Sequence, residues 1–384
     1  MAAIVASRPL FAEEHTIYRE SVRRFLAERA VPHIDDWCEA GRLPLEFLAA
    51  CGSHGLLCPQ VPEAYGGPGG DFRLNVVVAE EVAYCGLSQA TFSVHSDIVA
   101  GYVLAYGSEA QKRTWLPRLV DGTTIGAICM TEPGAGSDLK AVRTRAERIG
   151  DGWRLSGSKI FITNGQNAGL FVVAAKTDPA RGAKGISLFL VEGDRDGVRR
   201  GRNLAKMGMK DQDTSEIFFD DVVLPPDALL GVENEGFIAM MRELPQERLS
   251  LAVAAVASAE RAFELARDYA RERRAFDQRI VDFQNTRFVL ADVKTELTVA
   301  RLYIDECVRR HVSREFTAED GAMAKLWTTE LQGRVVDRCL QVFGGYGYMD
   351  EYPISRFYTA ARVQRIYGGT SEIMREIVGR GIAS

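Results

Sequence analysis

Hydrophobic periodicity changes twice along this chain, and those two changes constrain the fold more than any single motif. Over residues 13–119 apolar positions recur at helical spacing. The segment 13–30 carries Tyr18, Val22, Phe25 and Leu26 before meeting Pro32, and shorter helical segments cover 43–56, 74–84, 89–106 and 109–119. Near Asp121 the pattern gives way to short β-prone runs at 125–130, 153–155, 159–163, 170–175, 186–191 and 216–223, divided by Gly, Asn, Asp and Pro. Around Gly236 long helical segments return, over 248–274, 280–308 and 318–343, followed by 354–366 and 371–378. The short runs have no long helices between them, which argues against repeated βαβ units and for an antiparallel sheet. The expectation is an α+β chain of three domains. Residues 1–122 form a helical domain, 123–232 a middle antiparallel β domain, and 233–384 a helical domain resembling a four-helix bundle. Pro245 suits the first turn of a new helix, which places Glu247 near a helix N-terminus.

A length of 384 residues fits several domains better than one core. A net charge of −5 gives no reason to expect nucleic acid, whose binding needs a basic surface. No uninterrupted apolar run is long enough for membrane insertion. The N-terminus does not resemble a secretory signal, since Glu13 and Glu14 follow a short start. Seven scattered cysteines, odd in number and without a Cys-x-x-Cys pair, argue against a disulfide framework and place the chain in a reducing, cytoplasmic setting. Five dispersed histidines make no metal site, so no metal is expected, and His95 reads as structural. There is no Gly-x-Ser-x-Gly elbow, Walker loop or His-Glu-x-x-His pattern, so hydrolysis and metal catalysis have no support.

Three glycine-bearing turns remain. Thr131-Glu-Pro-Gly-Ala-Gly-Ser-Asp138 offers backbone donors and hydroxyls at the end of a strand, and read locally it is a tight loop. It lacks the third glycine and the βαβ context of a dinucleotide fingerprint. Thr163-Asn-Gly165 reads as a hairpin turn, with Phe161 either packing the sheet or covering an aromatic cofactor. Phe343-Gly-Gly-Tyr-Gly347 is a helix exit or a place of close cofactor approach.

In combination these segments resemble the acyl-CoA dehydrogenase family, most closely its long-chain type. The resemblance runs in order through Met130-Thr-Glu-Pro-Gly-Ala-Gly-Ser-Asp138, Lys159-Ile-Phe-Ile-Thr-Asn-Gly165, Lys206-Met-Gly-Met-Lys210, Glu243-Leu-Pro-Gln-Glu-Arg-Leu249, Arg273-Arg-Ala-Phe276, Gln341-Val-Phe-Gly-Gly-Tyr-Gly-Tyr348, Glu351-Tyr-Pro353 and Ile366-Tyr-Gly-Gly-Thr-Ser-Glu372. It implies an FAD enzyme that converts a saturated acyl-CoA to a trans-2-enoyl-CoA, a step of fatty acid β-oxidation. A base takes the α proton, the flavin takes the β hydride, and electrons pass to an electron-transferring flavoprotein. An acyl-CoA oxidase, or a non-catalytic protein that binds FAD and acyl-CoA, is the alternative.

Many members of the family carry their catalytic glutamate where this chain has Gly368. The long-chain and isovaleryl types place it earlier, at the position of Glu247, so the resemblance makes Glu247 the base. Read locally, the same residue is a helix cap or a surface ion-pair partner. Further roles follow from the resemblance. Met130, Thr131, Phe161 and Thr163 lie beside the flavin ring, and Ser137 lies near the diphosphate and the acyl-CoA. Arg273, Phe276 and Gln284 contact FAD bound in a neighbouring subunit, together with Gln341, Gly344 and Gly345. Thr370 and Glu372 belong to a C-terminal cofactor segment, while Arg248, Tyr367 and Gly368 face substrate. Shared sites of this kind imply a homotetramer.

Overall fold

The computed structural model describes residues 8–383. Its first part is helical: Glu13–Arg29, Ile34–Ala40, Leu45–Ser53, Phe72–Cys85, Gln89–Ser93, Ala100–Tyr106 and Glu109–Val120, with a π-helical stretch Val94–Val99 inside the run from 89 to 106. Local chemistry sets several of these ends. Asp71 accepts the Arg73 N–H at the start of Phe72–Cys85, and Gly86 closes that helix at φ 94°. Ser108 and Gln111 form a capping box before Glu109–Val120.

The middle part is an eight-stranded sheet. Its order is Val198–Asn203, Thr214–Leu224, Gly152–Thr163, Arg145–Ile149, Ala168–Lys176, Ile186–Glu192 and Leu229–Leu230, with Ile125–Cys129 added alongside Ala168–Lys176. The pairing is mainly antiparallel. Ile125–Cys129 runs parallel to its partner, and Arg145 pairs parallel with Lys176. Strand Ala168–Lys176 is apolar on both faces for a reason. Phe171, Val173 and Ala175 pack with Trp153, Phe189 and Phe219, whereas Leu170, Val172 and Ala174 pack on the N-terminal helices.

The last part contains Gly236–Glu272, Gln284–Val312, Ala318–Phe343, Pro353–Gln364 and Ser371–Ala383. A ridge of small residues, Ala252, Ala259, Ala262 and Ala266, lets the longest helix approach its neighbours closely, and Phe72, Val76 and Ala79 of the N-terminal part join the same core. The helical, β, helical order is therefore observed.

One boundary differs from expectation. Helix Gly236–Glu272 runs unbroken through Pro245, so Glu247 sits well inside the helix and receives no help from its N-terminal dipole. An interior proline forfeits a backbone hydrogen bond and costs roughly 3 kcal/mol when unsupported. Close packing of a neighbouring helix offsets part of that cost. Gly321 has no side chain, and a Cβ there would stand 3.1 Å from Pro245 Cα, so helix Ala318–Phe343 seats directly against the proline turn.

Candidate active site

A cavity of about 230 Å³ opens where the three parts meet. The sheet contributes Met130, Thr131, Phe161 and Thr163, helix Gly236–Glu272 contributes Glu247 and Leu251, and the turn before the last helix contributes Tyr367 and Gly368. Seven of the residues singled out in the sequence are thus brought together from three segments far apart in the chain.

Glu247 is buried, and its pKa is pushed up to about 7. Burial is the main cause; the nearby Glu243 carboxylate adds to it, while a hydrogen bond from Tyr102 and the Arg248 charge oppose it. Tyr102 donates its hydroxyl to Glu247 Oε1 at 3.1 Å. Arg248 follows Glu247 but turns elsewhere, donating its Nε to the Gly368 carbonyl at 3.3 Å. Lys325, fully buried, donates to the next carbonyl, Gly369 O, at 2.6 Å. Two buried cations therefore hold consecutive carbonyls of one turn. Gly368 and Gly369 adopt φ of 63° and 101°, a conformation that favours glycine.

Phe161 is set out from the sheet by its backbone. The register of its strand against Thr214–Leu224 shifts between Lys159 and Ile162, and Phe161 sits at φ 60° with 63% of its surface exposed. A bulge that re-aims a large aromatic into a cavity offers a flat face to a planar ring. Beneath it, Lys159 Nζ reaches Glu132 Oε1 at 2.8 Å, Ala174 O at 2.7 Å and Met130 O at 3.2 Å. Glu132 in turn accepts the N–H groups of Arg143 and Thr144. This buried pair locks the loop carrying Met130 and Thr131 onto the sheet. At the rim Ser137 is exposed, and neither Gly134 nor Gly136 has an atom within 4 Å of a Cβ position, which leaves the loop backbone open to close approach.

A second cavity, of about 500 Å³, is lined by Arg273, Gln341, Gly344 and Gly345, with Tyr269 and Tyr346. The Arg273 guanidinium lies 5.7 Å from the centre of the Tyr346 ring, and a Cβ at Gly344 or Gly345 would meet nothing within 4 Å. An arginine fork beside open glycine backbone and stacked aromatics fits a diphosphate joined to a flat base. The two cavities share no lining residue. Phe276, 89% exposed, and Gln284, at the start of Gln284–Val312, stand on the surface and line neither cavity. Thr370 and Glu372 also line neither. Thr370 Oγ1 accepts the Ile373 N–H in the first turn of the last helix, where exposed Glu372 also sits. Among the described residues no group of three or more His, Cys, Asp or Glu is placed to hold a metal ion, and no helix is long and apolar enough to cross a membrane. His95 is buried between Leu119 O and the Gly126 N–H, a structural position.

Three family models match the chain in succession: the acyl-CoA dehydrogenase N-terminal domain over residues 12–123, the middle domain over 127–222 and the C-terminal domain over 234–383. The chain belongs to the acyl-CoA dehydrogenase family. It is 48% identical over 382 residues to the mouse long-chain specific acyl-CoA dehydrogenase, covering 99% of this chain and 89% of that protein. An acyl-CoA dehydrogenase structure from Geobacillus kaustophilus superposes with a TM-score of 0.97 at 44% identity, covering 98% of this chain and all of that one. A glutaryl-CoA dehydrogenase from Mycobacterium smegmatis, solved in complex with FADH2, superposes with a TM-score of 0.92 at 29% identity, covering 98% and 96% of the two chains. One expectation for this dehydrogenase is overturned. The mouse relative and its rat and pig counterparts are mitochondrial proteins, which contradicts the cytoplasmic placement. Seven free thiols carry no address within the cell.

Sequence reading missed Tyr102, Lys159, Glu132 and Lys325. Lys159 and Glu132 left a signal, a lone charge in an apolar strand and an acid in the glycine-rich loop. Tyr102 and Lys325 left none, because each acts on a residue far away in the chain.

Proposed function

We propose that this enzyme uses FAD to remove hydrogen from the α and β carbons of a saturated long-chain acyl-CoA, yielding the trans-2-enoyl-CoA. The observation that carries this reading is Glu247, a buried carboxyl titrating near neutrality in the cavity that holds the exposed face of Phe161. A general base works best with an acidity close to the operating pH. Burial supplies that here, and Arg248 is engaged with Gly368 O rather than forming a hydrogen-bonded pair with the carboxylate. Identity to the mouse long-chain enzyme supports the substrate class.

Bound FAD supplies the hydride acceptor. The chain's own residues supply the rest. Glu247 takes the α proton, and Gly368 and Tyr367 wall the cavity on the substrate's side. Met130, Thr131, Phe161 and Thr163 seat the ring, and Ser137 serves the diphosphate and the acyl-CoA at the open rim. Arg248 acts on substrate through the turn it holds. We assign Arg273, Gln341, Gly344 and Gly345, with Phe276 and Gln284 on the surface, to cofactor bound in a neighbouring subunit. Their separation from the Glu247 cavity supports a homotetramer with shared sites. Thr370 and Glu372 complete the C-terminal cofactor segment by ordering the last helix. Electrons then pass to an electron-transferring flavoprotein. The units are taken as residues 1–122, 123–232 and 233–384.

The test is anaerobic bleaching of the flavin in purified holoenzyme by a panel of linear, branched and aromatic acyl-CoAs. Fastest bleaching by long linear chains is expected. Reaction with short branched chains alone would redirect the specificity. Rapid reoxidation by oxygen during turnover would identify an oxidase, and no bleaching at full FAD occupancy would leave a binding protein.

A further inference from the structure

Helices Ala100–Tyr106 and Gly236–Glu272 face each other through two tyrosine–carboxylate bonds one turn apart. Tyr102 donates to Glu247 Oε1 at 3.1 Å, and Tyr106 donates to Glu243 Oε1 at 2.7 Å. The tyrosines are four residues apart and so are the acids, so the pairs form two rungs on matching helix faces. The Tyr102 ring is fully buried, while Glu243 and Tyr106 are half-buried. Among the described residues no donor is bonded to Glu247 Oε2. The rungs begin just after the π-helical stretch Val94–Val99, an irregularity that shifts helical register and is common at functional sites.

We propose that Tyr102 is a positioning residue for Glu247: its hydroxyl pins Oε1 to helix Ala100–Tyr106, so that Oε2 is the oxygen left free to take the proton. The second rung has its own task. It ties Glu243, a like charge one turn away that raises the Glu247 pKa, to Tyr106. The charged and titratable groups facing Glu247 are Glu243 and Arg248 on its own helix, and Asp97 and Tyr102 on the N-terminal segment. Of these, Tyr102 is the one hydrogen-bonded to it. The hydroxyl stays protonated across the working range, because burial first and the Glu247 charge second push its pKa upward. Its bond favours the carboxylate form of Glu247 and offsets part of the effect of burial.

This inference rests on Glu247 as the base, and the experiment separates the two. Glu247→Gln, Tyr102→Phe and the control Tyr84→Phe are compared as holoenzymes, with flavin reduction scored per bound FAD. Tyr84 also donates to a carboxylate, Glu264, and lines neither cavity. Tyr102→Phe is expected to reduce flavin on the order of tenfold more slowly, through misorientation of the base, and to move the acid limb of its pH profile to higher pH. Infrared titration of the carboxyl band absent from Glu247→Gln should move in the same direction without any substrate. Tyr84→Phe should change neither. Growth of the unsubstituted enzyme on 3-fluorotyrosine needs no altered fold, and a stronger phenol donor should move the Glu247 band to lower pH. An inert Glu247→Gln beside a Tyr102→Phe with normal rate and unmoved band overturns the positioning role alone. A Glu247→Gln that still reduces flavin overturns the base assignment itself.

Discussion

Leu251 and Gly368 compete for one space: a Cβ on Gly368 would stand 2.5 Å from Leu251 Cδ1. Leu251 lies one helical turn beyond Glu247, so the helix that carries the acid also fills the room a side chain at 368 would need. The φ of 63° at Gly368 adds roughly 1–2 kcal/mol against any residue with a Cβ.

Moving the acid should therefore fail unless the space is cleared. Glu247→Gly with Gly368→Glu is expected to bleach flavin only weakly. Adding Leu251→Ala should raise the single-turnover rate, because the flexible Leu end is the obstruction. A triple variant no faster than the double would mean that the backbone strain, not Leu251, decides the matter.

Acidity gives a second expectation. With Glu247 pushed up to about 7, flavin reduction should fall as pH drops through 7, because only the anion accepts a proton. Stability shows the opposite trend. An unfolded glutamate titrates near ~4.3, so this group's contribution is fully present below that value and is lost as pH rises to about 7. Glu247→Gln should accordingly be inactive yet more stable than the parent at pH 8, by up to about 3 kcal/mol. Denaturant melts at pH 5 and pH 8 check this, and equal differences at both would contradict it.

The interface between the N- and C-terminal parts offers a third. Arg301 bonds both Glu80 and Glu260, all three are buried, and Arg8 binds Glu80 at 2.7 Å and Asp305 at 2.6 Å. Burial alone would raise the Glu80 pKa, but the Arg301, Arg8 and Arg19 charges hold it well below the usual range. Arg301→Met takes the arginine from buried Glu260 and one of three from Glu80, which keeps Arg8 and Arg19, and should cost roughly 3 kcal/mol. In the parent, the Glu80 contribution is present above the ordinary glutamate value and lost as pH falls through its depressed one. Acid unfolding of the variant should therefore begin at higher pH.

Arg273 provides a fourth. Arg273→Gln removes the charged fork from the larger cavity without touching the core, since the side chain is exposed. FAD retention after dilution should weaken about tenfold or more, with unchanged circular dichroism. Undiminished retention would remove this cavity from the cofactor site.

Local chemistry made much of this molecule legible. Helix Ala318–Phe343 has the expected ends because Thr317 caps its start and Gly344, at φ 58°, stops it. The helical, β, helical order followed from periodicity, and the family resemblance marked Glu247 and Gly368 as an acid gained and an acid missing. The continuous helix through Pro245 was not legible, because its cost is offset in part by packing against Gly321, distant in the chain. Nor was the bulge that exposes Phe161, since register depends on the neighbouring strand. Composition and motif order by themselves determined the class of fold and the residue types available for chemistry. Only tertiary structure decided what those residues are: it buried Glu247 so that it titrates near neutrality, turned Arg248 toward Gly368, and supplied Tyr102 from 145 positions away. Burial and hydrogen bonding are properties of assembled surroundings, and no residue carries them in its own identity.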